Sequence, residues 1–182
     1  MTAYSTTVRT MHLLTNAAWF GGSLMGAVAL NPAARKGDDA QQQAEIADEG
    51  WHRWGPVQGA AIGLHLLSGI AIVADNRRRV AAHPPTTAAV VLKTALTGVA
   101  IAASAAAYRL GAELGDAQRA DRDATTGRTA RLLARRMETL QWATPAATAG
   151  LLALDAYLGE QQRGVAGLLD RPSGPLSPSS RS

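Results

Sequence analysis

Four stretches dominated by Ala, Gly, Leu, Val and Ile alternate with segments that hold nearly all the charge: Met11–Pro32, Gly55–Ala74, Thr87–Ala107 and Leu140–Leu158. A helix of about twenty apolar residues reaches ~30 Å, the thickness of a bilayer's hydrocarbon core. Lipid is therefore the expected solvent for these stretches. The expected fold is all-α: a four-helix transmembrane bundle with both termini on the same side and spans at about 11–32, 55–74, 87–107 and 140–158. Residues 1–163 hold the bundle. The segment 164–182, which ends in Pro-Ser-Gly-Pro-Leu-Ser-Pro-Ser-Ser, is expected to be a disordered tail.

A soluble four-helix bundle, serving as a helical interaction module, is the rival architecture. It requires amphipathic helices with one charged face, whereas the four runs carry almost no charge. The mean hydropathy of -0.04 averages apolar runs with strongly polar loops. A second rival treats the first run as a secretory signal, with Arg9 in its basic region and Ala27-Val28-Ala29 at the cleavage site. That run is long for a signal core and carries Asn16, Trp19 and Ser23.

The chain has no cysteine, which removes disulfides, thiolate metal sites and a cysteine nucleophile. Its net charge of +4 comes from basic residues in loops beside the apolar runs. In that position they meet anionic lipid headgroups, so the bilayer rather than nucleic acid is the expected partner. Arg far outnumbers Lys, and with the abundance of Ala and Gly this composition suggests a bacterial genome rich in G and C. A multi-pass protein of the bacterial cytoplasmic (inner) membrane follows.

Aromatic residues fit four spans. If side X holds both termini and the middle connection, Trp51, Trp54, Tyr108 and Trp142 fall at the opposite interface, side Y, with Tyr4 and Tyr157 at X. Arg9, Arg77, Arg78, Arg79 and Arg163 lie on X, while Arg35, Lys36, Arg53, Arg109, Arg131, Arg135 and Arg136 lie on Y. This split leaves the orientation open. The carboxylates Asp38, Asp39, Glu45, Asp48 and Glu49 read as a solvated connection, helical or disordered.

Helix packing is written in small residues four apart: Gly22 and Gly26 in the first span, Gly55, Gly59 and Gly63 in the second, and Thr94, Gly98, Ala102 and Ala106 in the third. Such strips let helix backbones approach closely in lipid. They serve either packing within the bundle or a contact with a homodimer partner or other membrane subunits. Pro145, one turn into the fourth helix, is expected to bend or loosen that end.

Polar residues recur at the spacing of one helix face. The rows are His12, Asn16, Trp19 and Ser23; Lys93, Thr97, Ala100 and Ser104; Thr144, Thr148, Leu151 and Asp155, extended back to Gln141; and Gln58, His65 and Ser68. Polar groups facing hydrocarbon are costly, so these rows are expected to turn inward. At 1.5 Å per residue Lys93 lies roughly 9 Å and Asp155 roughly 6 Å from side X. An ion pair between them would offset the cost of placing either charge in the membrane. The expected site is a polar pocket of His12, Asn16, His65, Ser68, Lys93, Thr97 and Asp155, open to side X and floored by His65. The competing reading makes the hydroxyls interhelical glue, lets Lys93 snorkel to the headgroups and leaves Asp155 interfacial.

His12 and His65 are also the candidates for a metal or haem. Counting from the expected span ends separates them by roughly 8–10 Å in depth, which disfavours one shared iron. Copper would find Met11, His12 and Met25 on one helix, without a further Met cluster. His52 and His83 lie in separate loops.

The first span, His12-Leu-Leu-Thr-Asn-Ala-Ala-Trp19-Phe-Gly21-Gly22, resembles the opening helix of small bacterial membrane proteins related to the copper-resistance D family. In that family a His followed by an aromatic and paired small residues begins a helical bundle. The resemblance implies a polytopic inner-membrane protein, with copper or haem handling as an associated role. The chain carries no phosphate-binding Gly loop, HExxH, serine elbow or paired carboxylates on one helix. The functional expectation is an accessory or small-molecule-handling membrane component with a polar intramembrane pocket. The alternative is a membrane-embedded redox or metal-handling enzyme using His12 and His65.

Overall fold

The computed structural model describes residues 3–77, 84–120 and 124–169, with side chains described over 6–77, 84, 86–120 and 127–159. Among these residues it is all helix, without strands. Helix α1 (Ala3–Met25) runs through a π-helical turn (Gly26–Leu30) into α2 (Asn31–Ala34). Then come α3 (Ala40–Asp75), α4 (Pro84–Arg119), α5 (Ala124–Leu140) and α6 (Ala143–Leu169). The α1–α2 unit, α3, α4 and the α5–α6 unit are the four helices of the bundle. Three helical stretches are long and apolar enough to cross a membrane: Thr6–Ala34, Ala40–Asp75 and Thr86–Arg119. The expected fourth span is not among them. Its apolar stretch is short, interrupted by Asp155 and followed by Glu160, Gln161 and Arg163.

Helix boundaries differ from the expected spans in instructive ways. The acidic connection is helical from Ala40, because Asp39 caps it: Asp39 Oδ1 accepts the Gln42 N–H at 2.8 Å, while Gln42 Oε1 accepts the Asp38 N–H at 2.6 Å. This reciprocal arrangement satisfies donors that a helix start leaves orphaned. From there α3 continues through Pro56 into the apolar run. At 36 residues each, α3 and α4 are about 54 Å long.

Pro145 loosens its end of the helix to the point of a short break. Proline cannot donate to the Gln141 carbonyl, and the helix interrupts at Gln141-Trp142, two residues before α6 starts. The path stays nearly continuous, with the Ala146 N–H donating to Trp142 O at 3.1 Å. At its far end α6 runs to Leu169, so the first residues of the expected tail are helical. The rest, 170–182, lies outside the described residues, as do Arg78, Arg79, His83 and the side chain of Tyr4.

Helix α1 packs against α3 and α6, and α4 packs against α3, α5 and α6. Each helix therefore flanks its sequence neighbours, and α1 faces α4 across the centre. Trp19 and Leu151 are wholly buried there, together with Asn16 and Thr148. Trp19, Ala100 and Ala147 form the apolar heart, with Ile62 packed against them.

The glycines sort into two groups. A Cβ on Gly22 would overlap the Trp54 indole, and one on Gly26 would overlap the Trp51 indole. The strip on α1 thus seats two tryptophans instead of a bare helix backbone. Gly55, Gly59, Gly63 and Gly98 have no neighbouring atom within 4 Å of such a Cβ among the described residues, and all four are exposed. Their expected role in packing within the bundle is corrected: they face outward. Small residues on the inner rows, such as Ala61, Ala100, Ala103 and Ala147, bring the helices together instead.

Candidate functional site

The inner rows converge on a polar cluster near the α1 N-terminal half. Lys93 Nζ of α4 forms an ion pair with Asp155 Oδ1 of α6. The two side chains keep 18% and 11% of their surface exposed, so the pair sits at a rim. Lys93 Nζ also lies 3.4 Å from His12 Nε2 of α1. His12 Nδ1 in turn lies 3.1 Å from both His65 O and Ser68 Oγ of α3. Four helices thus contribute to one level of the bundle.

Hydrogen-bond directions fix the protonation pattern of His12. A carbonyl oxygen only accepts, and the Ser68 hydroxyl donates to Leu64 O at 2.6 Å. His12 Nδ1 therefore carries the hydrogen and donates to His65 O, leaving Nε2 as the acceptor towards the Lys93 ammonium. The bond has a twin, because His65 Nδ1 donates to His12 O at 3.3 Å. Each imidazole reaches the other helix's backbone, and the rings stack at 4.0 Å between centroids with 15° between planes. Gly69 makes this possible: a Cβ there would stand 3.2 Å from His12 Cε1. Sequence reasoning missed Gly69, and its only signal is its spacing of one turn from His65.

This contact corrects the depth expected for the histidines. Helical rise from the expected span ends separates them by roughly 8–10 Å, yet their rings stack at 4.0 Å. Helix α1 begins at Ala3 rather than Met11, and in antiparallel register His12 lies opposite His65–Gly69. The polar start Thr6-Thr7-Val8-Arg9-Thr10 is helix, not a lead-in.

Removing the depth objection does not make a metal centre. A bis-imidazole iron takes a ring nitrogen from each side, whereas these rings lie face to face. Both Nδ1 atoms are committed to backbone carbonyls, and His12 Nε2 faces an ammonium. Met11 and Met25 are 41% and 38% exposed and do not converge with His12. Among the described residues no group of three or more His, Cys, Asp or Glu could hold a metal ion. The described side chains around His12 and His65 do not fit haem or copper.

One turn deeper than His12, Asn16 is wholly buried, and among the described residues neither its Nδ2 nor its Oδ1 has a hydrogen-bond partner. Asp155 Oδ2 is likewise buried and without a partner. Leaving such groups unsatisfied costs about 1–3 kcal/mol each, so they stand out in an otherwise well-paired interior. Thr97 follows Lys93 by one turn and is half-buried.

Deeper still, the Trp19 indole N–H donates to Ser104 Oγ across the bundle at 3.2 Å, and Ser104 lies 3.3 Å from the Thr144 hydroxyl. The Trp19 edge also meets the His65 ring at 6.0 Å. Thr148 returns its hydroxyl to its own helix, donating to Thr144 O at 2.8 Å. Gln58 lies outside the histidine cluster and accepts the Trp54 indole N–H at 3.0 Å.

A second polar node, unseen in the sequence, lies past the π-helical turn. The Trp51 indole N–H donates to Asn31 Oδ1 at 3.1 Å, and Asn31 Nδ2 donates to Gln141 Oε1 at 2.9 Å. A π turn holds one residue more than an α turn, so Asn31 takes the inward place that residue 30 would otherwise have. Near the far end of α3, Arg119 forms ion pairs with Asp48 and with Asp116 of its own helix.

Comparison with family models, with curated proteins and with solved structures returns no significant match for the chain.

Proposed function

We propose that the chain is a multi-pass protein of the bacterial inner membrane, with both termini on one side, that admits small polar species to the interior of its bundle. It acts as an accessory or small-molecule-handling component and carries no catalytic centre of its own. One observation carries the reading. A buried, unpartnered Asn16 carboxamide lies one turn from a four-helix cluster of Lys93, Asp155, His12 and His65, between helices apolar enough to span lipid. Buried polar and ionisable groups in such helices are costly and mark sites that use them. The redox or metal-handling alternative, and with it the copper or haem role implied by the resemblance of the first span, gains no support from rings stacked face to face.

The absence of native cysteine gives a clean test. In native membranes, Thr97→Cys is expected to react with a small charged thiosulfonate from one side only. Val99→Cys, on the 54% exposed outer face, is expected to react with a lipid-soluble maleimide instead. A Thr97→Cys protein that reacts only with the lipid-soluble reagent overturns the reading.

The outward strips Gly55, Gly59 and Gly63 on α3, and Thr94, Gly98, Ala102 and Ala106 on α4, favour assembly with a homodimer partner or other membrane subunits. Light scattering in detergent tests this, with Gly59→Leu expected to shift the assembled species to monomer.

A further inference from the structure

We propose that the interior between the Lys93–Asp155 pair and Asn16, one turn deeper, binds one small, uncharged ligand that offers both hydrogen-bond donors and an acceptor: a primary amide, urea or a molecule of that class. This rests on the polar-site reading above and names its ligand chemistry.

Charge decides the first property. Lys93 and Asp155 neutralise one another, and His12 is uncharged, since an imidazolium Nε2–H would point at the Lys93 ammonium. The cluster is therefore already balanced. A charged ligand would bring an uncompensated charge among apolar helices, where its lost hydration is not repaid.

The unpartnered atoms decide the second property. Asn16 Nδ2 seeks an acceptor, while Asn16 Oδ1 and Asp155 Oδ2 seek donors. A primary amide presents one carbonyl oxygen and two N–H groups, matching that list. Asn16 is one turn from His12, about 6 Å along the axis, and His12 touches Lys93, which pairs with Asp155. The unpartnered atoms are thus spread along the interior from the ion pair to Asn16 rather than focused on one point.

The surroundings decide access. Lys93 and Asp155 retain some exposure, whereas Asn16 has none. Below Asn16 the path is closed by Trp19, Leu151 and Ala100, all wholly buried. The ligand enters past the ion pair and leaves the same way, which makes this a binding site and not a conduit.

The chain contains three asparagines, Asn16, Asn31 and Asn76, so selective ¹⁵N-asparagine labelling of the full-length protein in micelles yields three side-chain amide pairs. Asn16→Leu assigns the first. Titration with acetamide is expected to shift the Asn16 pair saturably while the Asn31 and Asn76 pairs stay fixed. Acetate and methylammonium are expected to leave all three unmoved. Asp155→Asn, which removes the charged acceptor, is expected to raise the acetamide midpoint at least about tenfold. The Asn31 pair, held between Trp51 and Gln141, reports that this variant is folded.

No movement of Asn16 with acetamide, or equal movement with a charged probe, overturns the proposal. A midpoint unchanged in folded Asp155→Asn removes Asp155 from it. If Thr97→Cys still reacts with the charged reagent while Asn16 ignores acetamide, the ligand class fails and the polar-site reading stands. If Thr97→Cys is inert to that reagent, the underlying reading fails.

Discussion

Breaking the Lys93–Asp155 pair from either side should have unequal consequences. In Lys93→Met, Asp155 loses the cation on Oδ1, and among the described residues Oδ2 has no partner already, leaving a carboxylate 11% exposed without its counter-charge. Removing one partner of a buried pair costs about 3–5 kcal/mol, and this variant should fall in that range. In Asp155→Leu, Lys93 keeps His12 Nε2 as an acceptor at 3.4 Å and has a long stem with which to reach the rim. That variant should lose about 1–2 kcal/mol less. The double variant Lys93→Met/Asp155→Leu replaces a pair of charges by apolar side chains of similar size, which is often close to neutral. A double-mutant cycle should then show a coupling of at least about 2 kcal/mol. Unfolding by dodecyl sulfate from neutral micelles, followed by tryptophan emission and circular dichroism, measures all four corners. If the double variant loses the sum of the two single losses, the charges act independently and the cluster described above is not a unit.

Other outcomes follow from the same geometry. Gly22→Ala and Gly26→Ala push a methyl into the Trp54 and Trp51 indoles, so each should lose about 1–3 kcal/mol and red-shift tryptophan emission. Gly59→Ala meets open space and should be neutral or stabilising by up to about 1 kcal/mol in the monomer. Asn31→Ala strands the Trp51 N–H and Gln141 and should cost about 1–3 kcal/mol, read in the same denaturation assay. Chelation by EDTA should leave the melting temperature unchanged. Titration with haemin should give no low-spin bis-imidazole spectrum, and a spectrum that disappears in His12→Ala would contradict the stacked geometry.

Much of the helical layout is legible because apolar runs and helical spacing are local properties. The row His12, Asn16, Trp19 and Ser23 is written directly in intervals of four, three and four, and all four residues are buried. What the spacing does not give is axial register between helices. That depends on where each helix starts, and the polar residues Thr6, Thr7, Arg9 and Thr10 conceal the fact that α1 is already helical. A shift of a few residues there turned stacked histidines into distant ones.

The glycine strips show a second limit. Spacing says that a surface is flat, but not whether a helix, an indole or lipid lies on it. On α1 the occupants are Trp51 and Trp54 of α3, which lie ahead of the expected second span in the connection that is helical from Ala40. The Asn31–Gln141 contact, 110 residues apart in the chain, depends on a π turn that no local pattern in Gly26–Leu30 announces.

The lengths of α3 and α4 have a mechanical consequence. Where α3 and α4, apolar enough to cross a membrane, do span a slab of ~30 Å, rods of about 54 Å leave some 20 Å outside it. Gln43, Asp48, Gln118 and Arg119 fasten the two rods to each other near their tips. A torque applied to that mast is carried down α3, past Pro56, and down α4 to Ser68 and Lys93 at the histidine level.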